Sequence, residues 1–477
     1  MTRPYTYGNK ILLSAIIIIL AGFKVKAQSN LLTGSQYGLL QSHLHINPAY
    51  TPEERLTLAT PPLLPPFPIP SFAISVSSSA FALSDIIKPG TSGKTLIDTR
   101  SWLENSRPHN SISASMQMDL FSAGIRLNDR NFLSLNVSNR AEMNLDYSKE
   151  MLSLLLKGNG ADGILGKEQS PEIYFDGIHY TNIGVGYSKS LLAGRLQTGI
   201  RISYLSGQEH IRTEKADISL LTDAGDFTMT GSADIALRTA GLHQGIFQGE
   251  GNLRIGNYFI NNGNSGWGLD AGFQYRINEH WQVATAINDL GYIKWKNDVR
   301  TYRSKEPGAV VEFQGVDLID YADESMTVEE AFEELTDSLK GRFDLIENTS
   351  AYSSMLNLRT SSSVTFKINK RQSVSLFIQN NLYNKRIHPD VSLSYSISAG
   401  RWLNTSIAWS LIDRTAGNLG LFLSINPGPF QWYISSDNIL GLAYYDRYGK
   451  IPVPAYARHA SLRMGFNLTI GKKKPVS

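Results

Sequence analysis

The sequence contains no cysteine, and only 18% of its 477 residues are charged. Without cysteine the chain can form no disulfide and can carry no lipoprotein-type lipid anchor, so an exported form needs another stabilising device. A closed, hydrogen-bonded sheet in a membrane is one such device. The 40 glycines and 22 tyrosines suit tight turns and pleated sheets better than charged helix surfaces. We therefore expect a mostly β chain.

Long apolar runs are also missing, except at the N-terminus. There, Arg3 and Lys10 precede ILLSAIIIILAGF, and the small residues Val25 and Ala27 stand just before Gln28. The run is too short for a convincing membrane span, so it predicts a cleaved signal peptide over residues 1–27, with an uncleaved anchor as the alternative. Loss of its four basic residues changes the formal net charge from +3 to −1, which argues against a nucleic-acid partner.

Apolar and small polar residues alternate along many segments of about 9–12 residues. In ASLRMGFNLTI, residues 460–470, every second residue is apolar; ISASMQMDL, LQTGIRISY, VSLSYSIS and LNTSIAWSL repeat the pattern. A period of two gives a strand two chemically different faces. Strands of this length can cross hydrocarbon when tilted, whereas strands of ordinary globular sheets are shorter.

The polar face distinguishes a membrane barrel from a soluble sheet. It carries Ser, Asn, Gln, Gly and Thr with an occasional Arg, rather than the Lys and Glu of a water-exposed surface. Tyr and Trp stand near strand ends, as interfacial aromatic residues do. We therefore predict a transmembrane antiparallel β-barrel of about 14 strands, within a range of 12–16, whose last strand pairs with the first. A soluble sandwich or solenoid is the alternative.

Several regions do not have the strand pattern. Residues 28–70 contain INPAYTPEER and the proline-rich TPPLLPPFPIP, and we expect a hatch-like segment in or beneath the lumen. The barrel is then predicted over residues 71–471, with a basic tail at 472–477. Short helices are predicted at 148–160 and, from a capping box and an apolar stripe, in a loop at 326–343.

No catalytic or cofactor-binding set emerges, and we expect no enzyme. GNGADG at 158–163 matches a dinucleotide fingerprint without the strand and helix that motif requires, and KPGTSGKT at 88–95 lacks the first glycine of a phosphate-binding loop, so both predict ordinary loops. His43 and His45 have metal-like spacing, but there is no cysteine and no acidic pair in register, so we predict polar members of the N-terminal segment and no metal site. The acidic residues of 317–347 predict a solvated loop, with a surface divalent cation as the alternative.

Two arginines stand on the polar face of predicted strands. Arg201 lies in LQTGIRISY and Arg463 in ASLRMGFNLTI, so both point to the lumen in the predicted barrel. Such arginines either line a pore or pair with acids inside the barrel, and the sequence leaves both possibilities open.

Several stretches of the chain resemble an uncharacterised outer-membrane β-barrel family of Bacteroidota. They are HINPAYTP, LLKGNGADGILGKE, INDLGYIKWKNDV, FQGVDLIDY, DSLKGRFDL and the closing SDNILG and LRMGFNLTIGKKK. Asn47, Pro48 and Ala49 are also similar to the N-terminal hatch of FadL-like fatty-acid transporters and to PorP/SprF-type barrels of type IX secretion and gliding. Many outer-membrane proteins end on an aromatic residue, whereas here a Lys-rich tail follows the last predicted strand and Phe466 stands upstream.

The resemblance implies a location in the outer membrane and two functions of different kinds. One is passage of a small or hydrophobic solute across that membrane. The other is a structural or secretion-associated barrel that docks partner proteins. A barrel fold supports both, because function resides in the lumen and the loops.

Overall fold

A computed structural model describes most of the chain and shows an all-β protein. The described residues are 32–33, 41–59, 71–82, 85, 87–89, 95–157, 164–225, 228–242, 263–308, 310–313, 345–400, 402–443, 445–448, 451–454 and 457–472. The predicted signal peptide, the helix at 326–343, the GNGADG motif and residues 473–477 of the tail lie outside them.

The strands are numbered in chain order. They are β1 (Glu54–Ala59), β2 (Ser71–Ser78), β3 (Ile87–Pro89), β4 (Thr95–Ile97), β5 (His109–Arg126), β6 (Asn131–Ser148), β7 (Ile173–Leu191), β8 (Leu196–Thr222), β9 (Met229–Ala240), β10 (Ser265–Arg276), β11 (Trp281–Trp295), β12 (Val299–Ser304), β13 (Val310–Phe313), β14 (Leu345–Asn348), β15 (Tyr352–Met355), β16 (Leu358–Lys367), β17 (Gln372–Tyr383), β18 (Arg386–Ala399), β19 (Leu403–Ile412), β20 (Thr415–Ile425), β21 (Phe430–Ser436), β22 (Tyr445–Tyr448), β23 (Ile451–Pro454) and β24 (His459–Lys472).

The wall is a closed antiparallel barrel of 14 strands. Neighbouring strands pair in chain order from β5 to β8, pass from β8 to β10 and β11, and continue from β16 to β21 and β24. Two pairs of segments, β1 with β2 and β15 with β16, each act as one interrupted strand. Closure comes from β24, which pairs with β1 at Leu56↔Ile470 and with β2 at Ile74↔Leu462, as predicted for the last strand.

The two faces of the wall differ as the alternation predicts. In β8, Ile200 and Ile202 are 43% and 54% exposed on the outside, whereas Arg201 and Ser203 between them are each 2% exposed on the inside. The polar residues of the closing strand, such as Ser461 and Asn467, are likewise buried inside. The barrel therefore has an apolar outer belt and a polar lumen.

Exposed aromatic residues flank this belt on the outer surface. One group lies near one end of the barrel and comprises Trp281, Trp402, Phe430 and Trp432; the other lies toward the opposite end and comprises Trp267, Tyr292 and Trp409. Amphipathic aromatic rings at two levels are typical of the two interfaces of a lipid layer.

The two ends of the barrel are built differently. At the short-turn end, tight polar turns such as 127–130, 277–280 and 368–371 connect the strands. At the long-loop end lie α1 (Thr99–Asn105), α2 (Lys149–Lys157), α3 (Ile439–Ala443) and an extension, formed by the outer half of β8 with β9, β12, β13 and β14. Helix α2 confirms the helix predicted near 148–160. None of the helices in the described part of the chain has the length and apolarity to span a membrane.

The wall differs from the sequence expectation in two respects. It begins at Glu54 rather than at residue 71, because β1 pairs with β24 and β5 at the short-turn end and β2 pairs with the same two strands further along. Strands β5 to β8 also exceed the predicted 9–12 residues, since β8 alone has 27 and continues into the extension. The two-residue period of apolar and polar residues identifies a strand, but it does not show where along its length that strand leaves the membrane region.

The outer belt predicts a position-dependent cost of charge. Ile202→Lys puts an ammonium in the middle of the belt and should lower the free energy of unfolding in lipid by about 2–4 kcal/mol. Leu192→Lys, at a residue 63% exposed in a short turn, is the matched control and should change it by less than about 1 kcal/mol. Urea unfolding in liposomes, followed by tryptophan fluorescence, measures both; equal effects would contradict the belt.

Candidate functional site

The lumen is occupied by the chain's own N-terminal segment. Residues 41–50, here called the plug, begin with a 3-10 helix at Gln41–His45 and continue through a turn in which the Ile46 and Asn47 N–H groups donate to the His43 carbonyl. From His43 to Tyr50 every plug side chain is buried. The plug then leads directly to β1 at the short-turn end.

Asn47 holds the lower part of the plug to the wall. Its side-chain amide donates to the carbonyls of Phe273 and Thr285, each at 3.2 Å, and its Oδ1 accepts from the Ala49 N–H at 2.9 Å. Pro48 follows with no N–H to satisfy, and its carbonyl accepts from Ser188 Oγ at 2.6 Å. Asn-Pro-Ala is therefore a side-chain-capped turn fastened across the lumen.

Two wall glycines leave the space in which this turn lies. Gly199 on β8 and Gly272 on β10 are direct cross-strand partners. A Cβ on Gly199 would lie 2.2 Å from the Pro48 carbonyl oxygen, and a Cβ on Gly272 would lie 2.2 Å from Asn47 Oδ1. Backbone contact this close requires glycine on both strands, so the pair forms a cradle for the plug.

His45 joins the plug to charged groups of the wall. Its Nδ1 accepts from Arg140 at 3.2 Å and from Arg201 at 3.4 Å, and its Nε2 lies 3.1 Å from Asp119 Oδ1. Guanidinium groups can only donate, so Nδ1 carries the lone pair and Nε2–H donates to Asp119. The ring is therefore neutral, in agreement with burial and the two arginines lowering its pKa to about 4 against the opposing effect of Asp119.

Above the plug, Asp289 connects three strands of the wall. It occupies a bulge in β11 with φ +61°, a conformation that Asp tolerates, and this turns its carboxylate into the lumen. Arg140 Nη1 lies 2.9 Å from its Oδ1, and Arg359 Nε lies 2.6 Å from its Oδ2. Glu142 lies 3.6 Å from Arg359 Nη1. This buried ion-pair network spans the lumen.

The segment that precedes the plug is fixed near the long-loop end. Asp437, directly after β21, accepts from the N–H groups of Leu32 and Thr33 at 3.2 and 2.7 Å, and Ser435 Oγ donates to the Thr33 carbonyl at 3.0 Å. A Cβ on Gly420 would lie 2.1 Å from Thr33 Oγ1, so glycine again makes room for the chain. These contacts form the upper anchor.

The structure places the residues singled out from the sequence as follows. Asn47, Pro48 and Ala49 lie in the lumen within the plug. Arg201 faces the lumen, pairs with Asp270 at 2.6 Å and donates to the Leu44 carbonyl at 2.9 Å. Arg463 is 5% exposed inside the barrel, near His43. Arg201 therefore contacts the plug, whereas Arg463 lies closer to the long-loop end of the lumen.

Sequence reasoning missed the acids and arginines that hold the lumen together. Arg140, Asp270 and Arg359 stand on the small-polar face of strands, where a charge is unusual, and this was the available signal. The bulge that turns Asp289 inward breaks the alternation of INDLGYIKW, so the period of two points its side chain to the wrong face.

The other motifs show no site in the described part of the chain. KPGTSGKT begins at Lys88 in β3 and ends at Thr95 in β4, two strands that pair as a hairpin, and residues 90–94 between them lie outside the described residues. Among the described residues, no three His, Asp or Glu side chains gather closely enough to hold a metal ion. His43 and His45 are plug residues, and the acids of 317–344 lie outside the described residues.

The glycine cradle predicts a specific steric effect. Gly272→Ala should displace Asn47 and destabilise the docked plug by about 1–3 kcal/mol, because a methyl group there overlaps its Oδ1. Gly268→Ala is the control on the same strand and face, since a Cβ there meets no heavy atom closer than 3.6 Å. Hydrogen-exchange protection of residues 43–50 reports docking, and equal protection in the two variants would refute the cradle.

Acidification should loosen the plug. Burial and Arg463 lower the pKa of His43 to about 3, and burial lowers the pKa of His45 to about 4. In a displaced plug both would titrate near 6.5, so the docked form is fully favoured above that pH and loses stability as the pH falls below it. At pH 5 each histidine should favour displacement by about thirtyfold.

Exchange at pH 7 and pH 5, corrected for intrinsic rates, measures this change in protection at residues 43–50. The double variant His43→Gln/His45→Gln should show little pH dependence. Protection that does not fall in the natural sequence would contradict the neutral, buried state of these rings.

Comparison with solved structures finds outer-membrane proteins of low similarity. The chain is similar to the Pseudomonas putida toluene transporter TodX, with 9% identity, a TM-score of 0.38, and 90% of this chain and 94% of that chain covered. For a Pseudomonas aeruginosa FadL homologue the values are 8%, 0.41, 93% and 96%. For the translocator domain of the autotransporter NalP from Neisseria meningitidis they are 6%, 0.29, 87% and 88%. These TM-scores carry no conclusion about this chain.

The comparison with curated proteins finds no match. A family model does match, over residues 48–437, and its description is a family of unknown function, DUF5723. The match begins within the Asn-Pro-Ala turn and ends at Asp437, so it includes the glycine cradle, the ion-pair network and most of the wall. The chain belongs to the DUF5723 family.

Proposed function

We propose that this protein is an outer-membrane barrel that passes a small solute when its N-terminal plug moves aside. The apolar outer belt and its two groups of aromatic residues support membrane insertion, and the N-terminal apolar run supports export. The short-turn end would face the periplasm and the long-loop end the outside. The role is transport without catalysis.

The observation that carries the proposal is the polar attachment of the plug. Asn47, Pro48 and the carbonyls of Leu44 and Ile46 meet the wall through neutral or singly charged hydrogen bonds. Each such bond contributes about 1 kcal/mol net, because water can replace either partner. The plug also makes one small apolar contact, between Ile46 and the cluster of Leu32, Phe377 and Ile412. A plug held mainly by polar contacts can leave when water enters the lumen, whereas one packed in a large apolar core would be fixed in place.

The side chains that line the lumen indicate which class of solute it suits. Serine, asparagine, glutamine and charged side chains dominate its buried surface, among them Ser363, Gln379 and Ser394. This lining favours a polar solute. The resemblance of Asn47, Pro48 and Ala49 to the hatch of FadL-like transporters suggests a hydrophobic one, so both solute classes need to be tested.

A reversible lock tests the proposal in a chain that has no cysteine of its own. Thr33 Cβ lies 3.1 Å from the position of a Cβ on Gly420, so Thr33→Cys/Gly420→Cys needs only a small shift to form a disulfide. With β1 fixed in the wall, the lock would hold the plug segment at both ends. We expect conductance in planar bilayers to be lowest when oxidised, to recover on reduction, and to be highest when residues 32–50 are deleted.

Liposome swelling with arabinose and binding of a fluorescent fatty acid identify the solute class. The Thr33→Cys single variant controls for oxidation, and heat-modifiable migration confirms that the deletion folds. A barrel that stays closed after deletion of residues 32–50 would overturn the proposal.

A second candidate is a barrel that docks partner proteins. The observation in its favour is the extension, which carries β8 beyond the wall and presents β14, whose Ile346 is 54% exposed. A closed lumen in every plug variant, together with a stable partner in detergent extracts, would favour this role over transport.

A further inference from the structure

A cavity of about 90 Å³ lies inside the barrel between the ion-pair network and the long-loop end. Leu32 of the upper anchor and Arg359 of the network both border it. Serine, asparagine and glutamine line much of the remainder. Its position on the axis means that a solute entering from the long-loop end would reach it before the plug.

Three carboxylates line this cavity without a cationic partner. Asp390, Asp413 and Asp437 accept hydrogen bonds only from neutral donors. The donors are the Asn381 side chain and the Asp413 N–H for Asp390, Ser77 and Ser111 for Asp413, and the N–H groups of Leu32 and Thr33 for Asp437. Among the described residues, no Lys or Arg nitrogen lies within 4.0 Å of these three groups.

The environment of these carboxylates favours a bound cation. Burial raises the pKa of Asp413 and of Asp437, which both lie outside the strands, because water cannot solvate their charges well there, and the more distant Arg414 and Arg463 offset only part of this rise. Arg359, which also borders the cavity, is already paired with Glu142 and Asp289. A cation held among Asp390, Asp413 and Asp437 would therefore be the contact that stabilises their ionised form.

A buried histidine supplies a second feature that points to a ligand. His459 borders the same cavity, is 3% exposed, and has no hydrogen-bond partner among the described residues on either ring nitrogen. Asp437 Oδ2 lies 4.0 Å from its Nε2, which is beyond hydrogen-bond distance. A buried polar ring without partners is costly, and a ligand group in the cavity would satisfy it.

The arrangement suits an organic cation better than a metal ion. Calcium and magnesium need several oxygen ligands drawn together at about 2.0–2.6 Å. No three His, Asp or Glu side chains in the described parts of the chain gather so closely. An ammonium group instead donates separate hydrogen bonds of about 2.7–2.9 Å to carboxylates placed around it. The cavity is smaller than the one of about 150 Å³ that holds benzene, so it fits a short ammonium compound or the ammonium end of a longer one.

We infer that this cavity is a binding site for a small primary ammonium solute, held among Asp390, Asp413 and Asp437, with one N–H of the ammonium group donating to a ring nitrogen of His459. The inference names the solute class of the pore, and in that role it rests on the proposed function. Binding itself requires only a folded barrel.

Calorimetry on the full mature barrel in detergent tests the inference with three probes of one size: butylammonium, butanol and butyrate. Butylammonium should bind, and the uncharged and anionic probes should give no measurable heat. Asp390→Asn/Asp413→Asn should weaken butylammonium binding at least tenfold. Asp217→Asn, at an exposed acid of the extension, should leave it unchanged.

Three results would overturn the inference: no butylammonium binding to a folded barrel, equal binding of butanol or butyrate, or unchanged binding in Asp390→Asn/Asp413→Asn. Calcium chloride that binds and displaces butylammonium would assign the site to a metal and also overturn it. His459→Phe keeps a ring and should weaken binding, which provides a test if the double variant does not fold. A barrel that binds butylammonium but never conducts would refute the transport proposal alone, and one that conducts without binding would refute the inference alone.

Discussion

Closing an alternating sheet on itself forces one face of every strand into an interior with little water, and the remaining features of the structure respond to that constraint. Polar groups placed there must find partners, because an unpaired buried polar group costs on the order of a few kcal/mol. Side chains alone can fill an eight-stranded barrel, whereas 14 strands enclose a wider space. Here the chain's own N-terminal segment fills it, and the cradle of Gly199 and Gly272 brings plug backbone against wall backbone.

The polar and charged groups inside the barrel belong to two parts, the ion-pair network of the wall and the plug. Asp289 is held by arginines on two other strands, and removing one partner of a buried ion pair typically costs about 3–5 kcal/mol. The plug meets this network through His45, which is neutral and can exchange its contacts for water. In the proposed transport role, these ion pairs would keep the shape of the wall when the plug is displaced.

Much of the fold could be predicted from the sequence, since a period of two over about ten residues directly reports a half-lipid, half-lumen strand. The strand count, the closing pair and the inward polar face follow from that pattern. The pairing of Arg201 with Asp270 does not, because alternation gives the face of a residue but not its level along the barrel axis. The bulge at Asp289 is hidden for another reason: one extra residue reverses the apparent face, and only the register reveals it.

Asp437 belongs both to the upper anchor and to the acidic cavity, so in the proposed function plug position and solute binding would be linked through one carboxylate. Its hydrogen bonds to the N–H groups of Leu32 and Thr33 are the charge-assisted contacts of the anchor, and such bonds are roughly twice as strong as neutral ones. A cation that takes a share of this carboxylate weakens the anchor without touching the Asn47 turn. A ligand shifts an equilibrium only by its differential affinity for the two states. If the cavity binds ammonium more tightly once Asp437 is released from Leu32 and Thr33, binding of the solute would itself favour displacement of the plug.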